Sequence, residues 1–218
     1  MNFQWKKWCV LPAVVLLAGT VALAQETGQQ QSGQQQAQQD PQPKSEVGKR
    51  AENQQDRIAN GVKSGQLTAG ETSKLETKEA AINGEVKADR AANGGKLTAA
   101  EKAQVNRQQN QLSKQIYKDK HNANTAHYGN SEVGKRQENQ QDRIANGFKS
   151  GQLTAGETAK LENQQRGINQ QVKADRAANG GKLTAGEKQQ INKEQNQASK
   201  NIYNKKHNAK TQPGTKKQ

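Results

Sequence analysis

Large apolar residues are sparse in this chain, and they recur at helical steps. After Glu71 they fall at Leu75, Ile82 and Val86, and after Glu101 at Val105, Leu112 and Ile116. Steps of seven and four belong to a helix of 3.6 residues per turn, not to the alternation of a strand. One phrase announces the helix starts four times. It reads Gly65-Gln66-Leu67-Thr68-Ala69-Gly70-Glu71, then Gly95-Lys96-Leu97-Thr98-Ala99-Ala100-Glu101, and returns at Gly151 to Glu157 and Gly181 to Glu187. A Thr with a Glu three residues later is a capping box, in which the hydroxyl accepts from a first-turn amide and the carboxylate accepts from the Thr amide. Asn60-Gly61, Asn93-Gly94 and their later counterparts read as helix stops. The pattern predicts helices over about Glu46 to Asn60, Ala69 to Asn93 and Ala99 to His121, with a second set starting at Glu132, Ala155 and Ala185. The fold class is all-α, built of tandem helix-loop-helix repeats.

The second set follows from a duplication. Ser45 to Thr125 aligns without gaps onto Ser131 to Thr211, an offset of 86, with 61 identities in 81 positions. Residues 44–129 form helical repeat 1, and 130–218 form helical repeat 2 with a basic tail. Within each repeat, Arg57-Ile58-Ala59-Asn60-Gly61 and Arg90-Ala91-Ala92-Asn93-Gly94 each lead into the capping phrase. The apolar seam carries roughly one large residue per two turns, where a core-facing helix shows three or four. A seam this thin predicts helices that are marginal alone, in hairpins or small bundles with mobile joints.

Residues 1–24 read as a secretory signal peptide. Lys6 and Lys7 form the basic start, Val10 to Leu23 the apolar run, and Ala22-Leu23-Ala24 the cleavage site before Gln25. The run is about 14 residues, short of the roughly 20 that a spanning helix needs. No transmembrane segment is therefore expected after cleavage, and the expected location is periplasmic or secreted. Cys9, the single cysteine, lies in the leader, so the exported chain has neither disulfide nor thiol chemistry. Residues 25–43, rich in Gln and ending Asp40-Pro41-Gln42-Pro43, read as a disordered N-terminal spacer.

Charge narrows the partners. The chain carries +14, of which repeat 1 holds +5 and the remainder from Asn130 holds +9, rising toward Lys205, Lys206, Lys210, Lys216 and Lys217. An exported basic protein meets polyanions and the anionic envelope surface. Specific nucleic-acid recognition is disfavoured, because base stacking needs aromatics and the exported chain has only Tyr117, Tyr128, Phe148 and Tyr203. No exposed aromatic anchor is expected among them, which argues against an interaction module.

The capping phrase resembles the second half of an EF-hand calcium loop, in which a turn glycine, an aliphatic and a bidentate glutamate stand at the sixth, eighth and twelfth places. Setting Gly95, Leu97 and Glu101 there puts Arg90, Ala92 and Gly94 at the first three ligand places; the other half-repeat gives Asn60, Val62 and Ser64. A loop one residue longer would recruit Asp89, Asn93 and Glu101. A cation at Arg90 stands where the family has its first carboxylate, so Glu101, like Glu71, Glu157 and Glu187, is read as a capping residue and no metal ligand is assigned. As a whole, the chain resembles uncharacterised exported bacterial proteins built from this Arg-x-x-x-Gly, Gly-x-Leu-Thr-x-x-Glu repeat. That resemblance implies export and helical repeats, with no activity attached.

No catalytic or cofactor-binding residue is assigned. His121 and His207 stand in matching Ile-Tyr-x-x-Lys-His-Asn-Ala phrases and His127 stands apart, with no Cys, no second His one turn away and no matched carboxylate. A histidine at a helix end is read as a partner of the helix dipole. The expected function is a non-enzymatic interaction module for anionic partners. The alternatives are a hydrophilin-like protective protein and a divergent EF-hand-like calcium binder.

Overall fold

The structure is a computed structural model that describes residues 45–212. The expected signal peptide, the whole of the expected spacer and the tail lysines Lys216 and Lys217 lie outside the described residues. Six helices follow in order: α1 Glu46–Lys63, α2 Ala69–Ala92, α3 Ala99–Lys120, α4 Glu132–Lys149, α5 Ala155–Ala178 and α6 Ala185–Lys206. Among the described residues the fold is all-α, three helices per repeat.

Each start is chemically explicit. Thr68, Thr98, Thr154 and Thr184 are the N-caps of α2, α3, α5 and α6, and all four close a full capping box with the Glu three residues on. Ser45 and Ser131 cap α1 and α4 through their hydroxyls, which accept from Gly48 N and Gly134 N. Such a cap is worth about 1 kcal/mol. Thr98→Ala and Thr184→Ala should therefore each cost about that much and lower helicity by circular dichroism. Thr125→Ala, outside any helix, should leave helicity unchanged; equal losses from all three would remove the capping assignment.

The stops divide into two kinds. Asn93 and Asn179 end α2 and α5 as expected, with Gly94, Gly95, Gly180 and Gly181 at positive φ. Asn60-Gly61 and Asn146-Gly147 do not end α1 and α4, which run three residues further and turn at Gly65 and Gly151. The reason is tertiary. Leu67 folds back over α1, its amide donates to the Gly61 carbonyl at 3.0 Å, and a Cβ on Gly61 would lie 2.7 Å from Leu67 Cδ1. Glycine is needed there for close approach inside the helix, not for a left-handed turn.

In each repeat the third helix packs on the first two, α3 on α1 and α2, α6 on α4 and α5. The repeats join through α2 against α5 and α1 against α4. Ser73 Oγ donates to the Ala159 carbonyl at 3.1 Å, and these two positions are counterparts at the offset of 86. A residue touching its own counterpart marks a pseudo-twofold axis, so the repeats meet as the two halves of an isologous dimer would.

The helices are not loosely joined hairpins. Ile58, Leu75, Val105, Leu112 and Ile116 of repeat 1 share one buried cluster with Ile144, Phe148, Leu153, Leu161 and Ile202 of repeat 2. A second cluster gathers Val133, Ile168, Val172, Ile191 and Ala198. Buried glutamines widen the thin seam. Gln54 Nε2 donates to the Gln109 carbonyl at 2.6 Å and to Ser113 Oγ at 2.8 Å, and Gln140 repeats this with Gln195 and Ser199 at 2.7 and 2.8 Å. Gln109 and Gln195 in turn donate to the carbonyls of Val47 and Val133. An amide that finds a backbone carbonyl avoids the desolvation penalty of an orphaned donor, and its methylene stem still packs.

Candidate functional site

The duplication builds one cationic pocket twice. In repeat 1, the first residues of α1 (Ser45 to Val47) meet the end of α2 (Arg90), the Gly95-Lys96-Leu97 loop and the first turns of α3 (Lys102, Asn106), around a cavity of about 330 Å³. In repeat 2 the counterparts are Ser131 to Val133, Arg176, Gly181 to Leu183, Lys188 and Asn192, around about 390 Å³. Gly94 and Gly95 at positive φ swing the chain from α2 into α3, which brings Lys96 beside Arg90's end of α2. Arg90 Nη2 donates to Ser45 Oγ at 3.0 Å, and Arg176 to Ser131 at 3.0 Å. Each guanidinium is thereby aimed at a helix N-terminus, where unpaired amides and the helix dipole favour negative charge.

Three cations face one carboxylate in each pocket. Glu46 pairs with Arg50 at 3.4 Å. In repeat 2 the matching Arg136 turns instead to Asn192 and Asn196 on α6. No carboxylate lies within ion-pair distance of Lys96, Lys102, Lys182 or Lys188 among the described residues. Val47 and Leu97 supply an apolar floor. Such a pocket can hold a compact anion such as a carboxylate, sulfate or phosphate group by charge-assisted hydrogen bonds.

The carboxylates of the EF-hand-like phrase are committed elsewhere. Glu101 Oε2 accepts from the Thr98 amide at 2.8 Å, and Asn93 Nδ2 reaches both carboxylate oxygens at 2.9 and 3.0 Å. The Thr98 amide holds the Glu101 carboxyl below the usual range, and the Thr184 amide does the same for Glu187. Glu71 Oε1 is taken by Asn122 and Asn124, and Glu157 Oε1 by Asn208. Asp89 stays close enough to Glu101 and Glu85 that partial desolvation, then these two charges, raise its carboxyl. No group of three or more His, Cys, Asp or Glu side chains among the described residues is disposed to hold a metal ion. His127 Nε2 pairs with Thr125 Oγ1 at 2.7 Å, while His121 and His207 cap α3 and α6.

Two further sets of residues were not singled out by the sequence. Tyr117 and Tyr203 stand 62% and 57% exposed, so the chain does have exposed aromatics. Their position one step past the buried Ile116 and Ile202, off the apolar stripe, was the available signal. The second set lies inside. Glu76 and Glu162 are counterparts on α2 and α5, both 0% exposed, and Glu79 is 1% exposed. Both oxygens of Glu76, and one each of Glu79 and Glu162, lack a hydrogen-bond partner. Burial pushes all three carboxyls up, to about 8 for Glu79 and Glu162; for Glu76 the charges of Glu79 and Glu162 add to it. Glu79 sits on the same stripe as Leu75, Ile82 and Val86, so its burial was readable; Glu76 was not.

Comparison of the chain with protein-family models, with curated proteins and with solved structures returns no match.

Proposed function

We propose that this chain is an exported, non-enzymatic binding module that engages anionic partners at the envelope or outside the cell. The observation that carries the reading is the cationic pocket that occurs twice, with Arg90, Lys96 and Lys102 in one copy and Arg176, Lys182 and Lys188 in the other. A surface that merely stayed soluble would scatter its charges, whereas here three cations converge on one cavity beside a helix N-terminus. The signal-like leader and the net charge of +14 support the same reading. A hydrophilin-like role fits less well, because solvating chains bury little, and this one buries leucines and isoleucines completely.

The test is heparin binding by the exported chain, followed by calorimetry at two salt concentrations. Replacing Lys96, Lys102, Lys182 and Lys188 by Gln should weaken binding by about tenfold or more and flatten its salt dependence. Replacing the exposed Lys63, Lys74, Lys149 and Lys160 by Gln removes the same charge and should cost much less. Equal losses from the two sets would overturn the pocket as the site.

A further inference from the structure

Tyr117 and Tyr203 are counterparts, and neither is a loose ring. Each stacks on the histidine four residues on. The Tyr117 and His121 rings are 4.2 Å apart and 26° from parallel, and those of Tyr203 and His207 are 4.1 Å apart and 25° from parallel. The imidazole is locked in turn, because its Nδ1 lies 2.7 Å from the carbonyl oxygen of the same tyrosine in both repeats. A carbonyl only accepts, so Nδ1 carries the hydrogen and the neutral ring keeps Nε2 as its acceptor. Each repeat therefore presents a stacked tyrosine–histidine pair, a plate one ring wide, whose rotamers are set before anything binds, which removes part of the ordering cost of association.

The plates stand among cations. Lys114 precedes Tyr117 by three residues and Lys120 follows it by three; Lys200 and Lys206 flank Tyr203 in the same way. Residues three apart on a helix are surface neighbours. One plate per repeat, with the flanking large apolar residues Ile116 and Ile202 fully buried, is too small an apolar surface for a protein partner. It suits a ligand with one flat, ring-sized apolar face, polar edges and a negative charge alongside. A sugar ring of an acidic polysaccharide has all three: a face of C–H bonds, hydroxyls at its edge, and a carboxylate or sulfate. Single-stranded nucleic acid also stacks on aromatics, but it uses successive rings along a continuous basic groove.

We infer that the Tyr117–His121 and Tyr203–His207 plates are a second binding surface, on which the sugar faces of an acidic polysaccharide stack while Lys114, Lys120, Lys200 and Lys206 take its anionic groups. The inference rests on the anionic-partner reading for the sign of the ligand's charge and uses none of the pocket residues.

Calorimetric titration of the exported chain with polygalacturonate tests it, with neutral dextran and oligothymidylate as comparison probes. Tyr117→Ala with Tyr203→Ala should weaken polygalacturonate binding by about tenfold. The double Phe variant should bind within about twofold of the parent, because stacking needs the ring and not the hydroxyl. Both tyrosines are exposed, so helicity by circular dichroism should be the same in all three proteins. The pocket variant with four Lys→Gln changes should keep the tyrosine-dependent tenfold effect, which separates failure of the pockets from failure of the plates. Binding of polygalacturonate that ignores the double Ala change, or an absence of binding, would overturn the inference. So would oligothymidylate binding more tightly than polygalacturonate through the same tyrosines.

Discussion

Glu79→Gln should raise the stability of this protein at pH 7 by about 3 kcal/mol, and Glu162→Gln by a similar amount. A free glutamate has a pKa of 4.5, whereas burial raises these two to about 8. At pH 7 the folded chain must hold protons that the unfolded chain gives up, a penalty of about 1.4 kcal/mol for each pH unit between 4.5 and 7. No lysine or arginine among the described residues offsets it. The groups that act on the trio are Gln55 of α1, Gln141 of α4, Gln212 beyond α6 and the carboxyls themselves. Tyr128, from the connection between the repeats, lies near enough that Glu162 raises its hydroxyl, after burial itself.

The glutamine replacement is already present once, since Gln165 stands where Glu79 stands in repeat 1. Gln165 Nε2 donates to Gln140 Oε1 at 3.0 Å, and Gln54 is the residue at the corresponding place for Glu79→Gln. The sign with pH follows. These acids have raised folded pKa values, so their contribution is most favourable below pH 4.5, is lost as pH rises to about 8, and levels off beyond. Thermal melts at pH 5 and pH 8 should show the parent losing stability on the alkaline side, with the double variant much flatter. A parent melting higher at pH 8 than at pH 5, unchanged by either substitution, would mean the carboxyls are not buried.

Gly134→Ala should destabilise the protein by about 3 kcal/mol or more, while Gly48→Ala should be neutral or stabilising by about 0.5–1 kcal/mol. The two glycines occupy the same place in the identical segments Ser45 to Arg50 and Ser131 to Arg136. A Cβ on Gly134 would run into the backbone carbonyls of Tyr128 and Gly129, which fold over the first turn of α4. Backbone cannot yield as a flexible side chain can. Among the described residues, which begin at Ser45, a Cβ on Gly48 would meet Ser45 Oγ at 3.4 Å, an ordinary contact, and alanine is the better helix former. Urea denaturation of the two variants separates them. Equal effects would show that the connection does not cover α4 in solution.

Much of the architecture is legible in the sequence itself. Four Thr-x-x-Glu phrases placed four helix starts to the residue, because a cap is a local exchange of hydrogen bonds between residues three apart and needs no tertiary partner. The spacing of Leu75, Ile82 and Val86 gave helix and not strand for the same local reason. The duplication guaranteed that whatever repeat 1 built, repeat 2 would build again, so the two cationic pockets follow from one set of residues. That Arg90, Lys96 and Lys102 would share a cavity was not legible, since it depends on the turn through Gly94 and Gly95 and on where α1 docks.

Everything that depends on what lies across an interface belongs to the tertiary structure alone. Asn60-Gly61 has the composition of a stop, yet the helix continues because Leu67 settles on the glycine. Glu76 looks like a surface residue among Lys74, Thr77 and Lys78, yet the pseudo-twofold pairing of α2 with α5 seals it from water. Tyr117 lies one step off the stripe that Ile116 continues, so its exposure was readable, whereas its stack on His121 was not. The sequence by itself determined the helices and their number, which depend on forces between near neighbours in the chain. Which faces became core, pocket or plate was decided only when two copies of one bundle packed against each other, because burial is a property of the partner surface as much as of the residue.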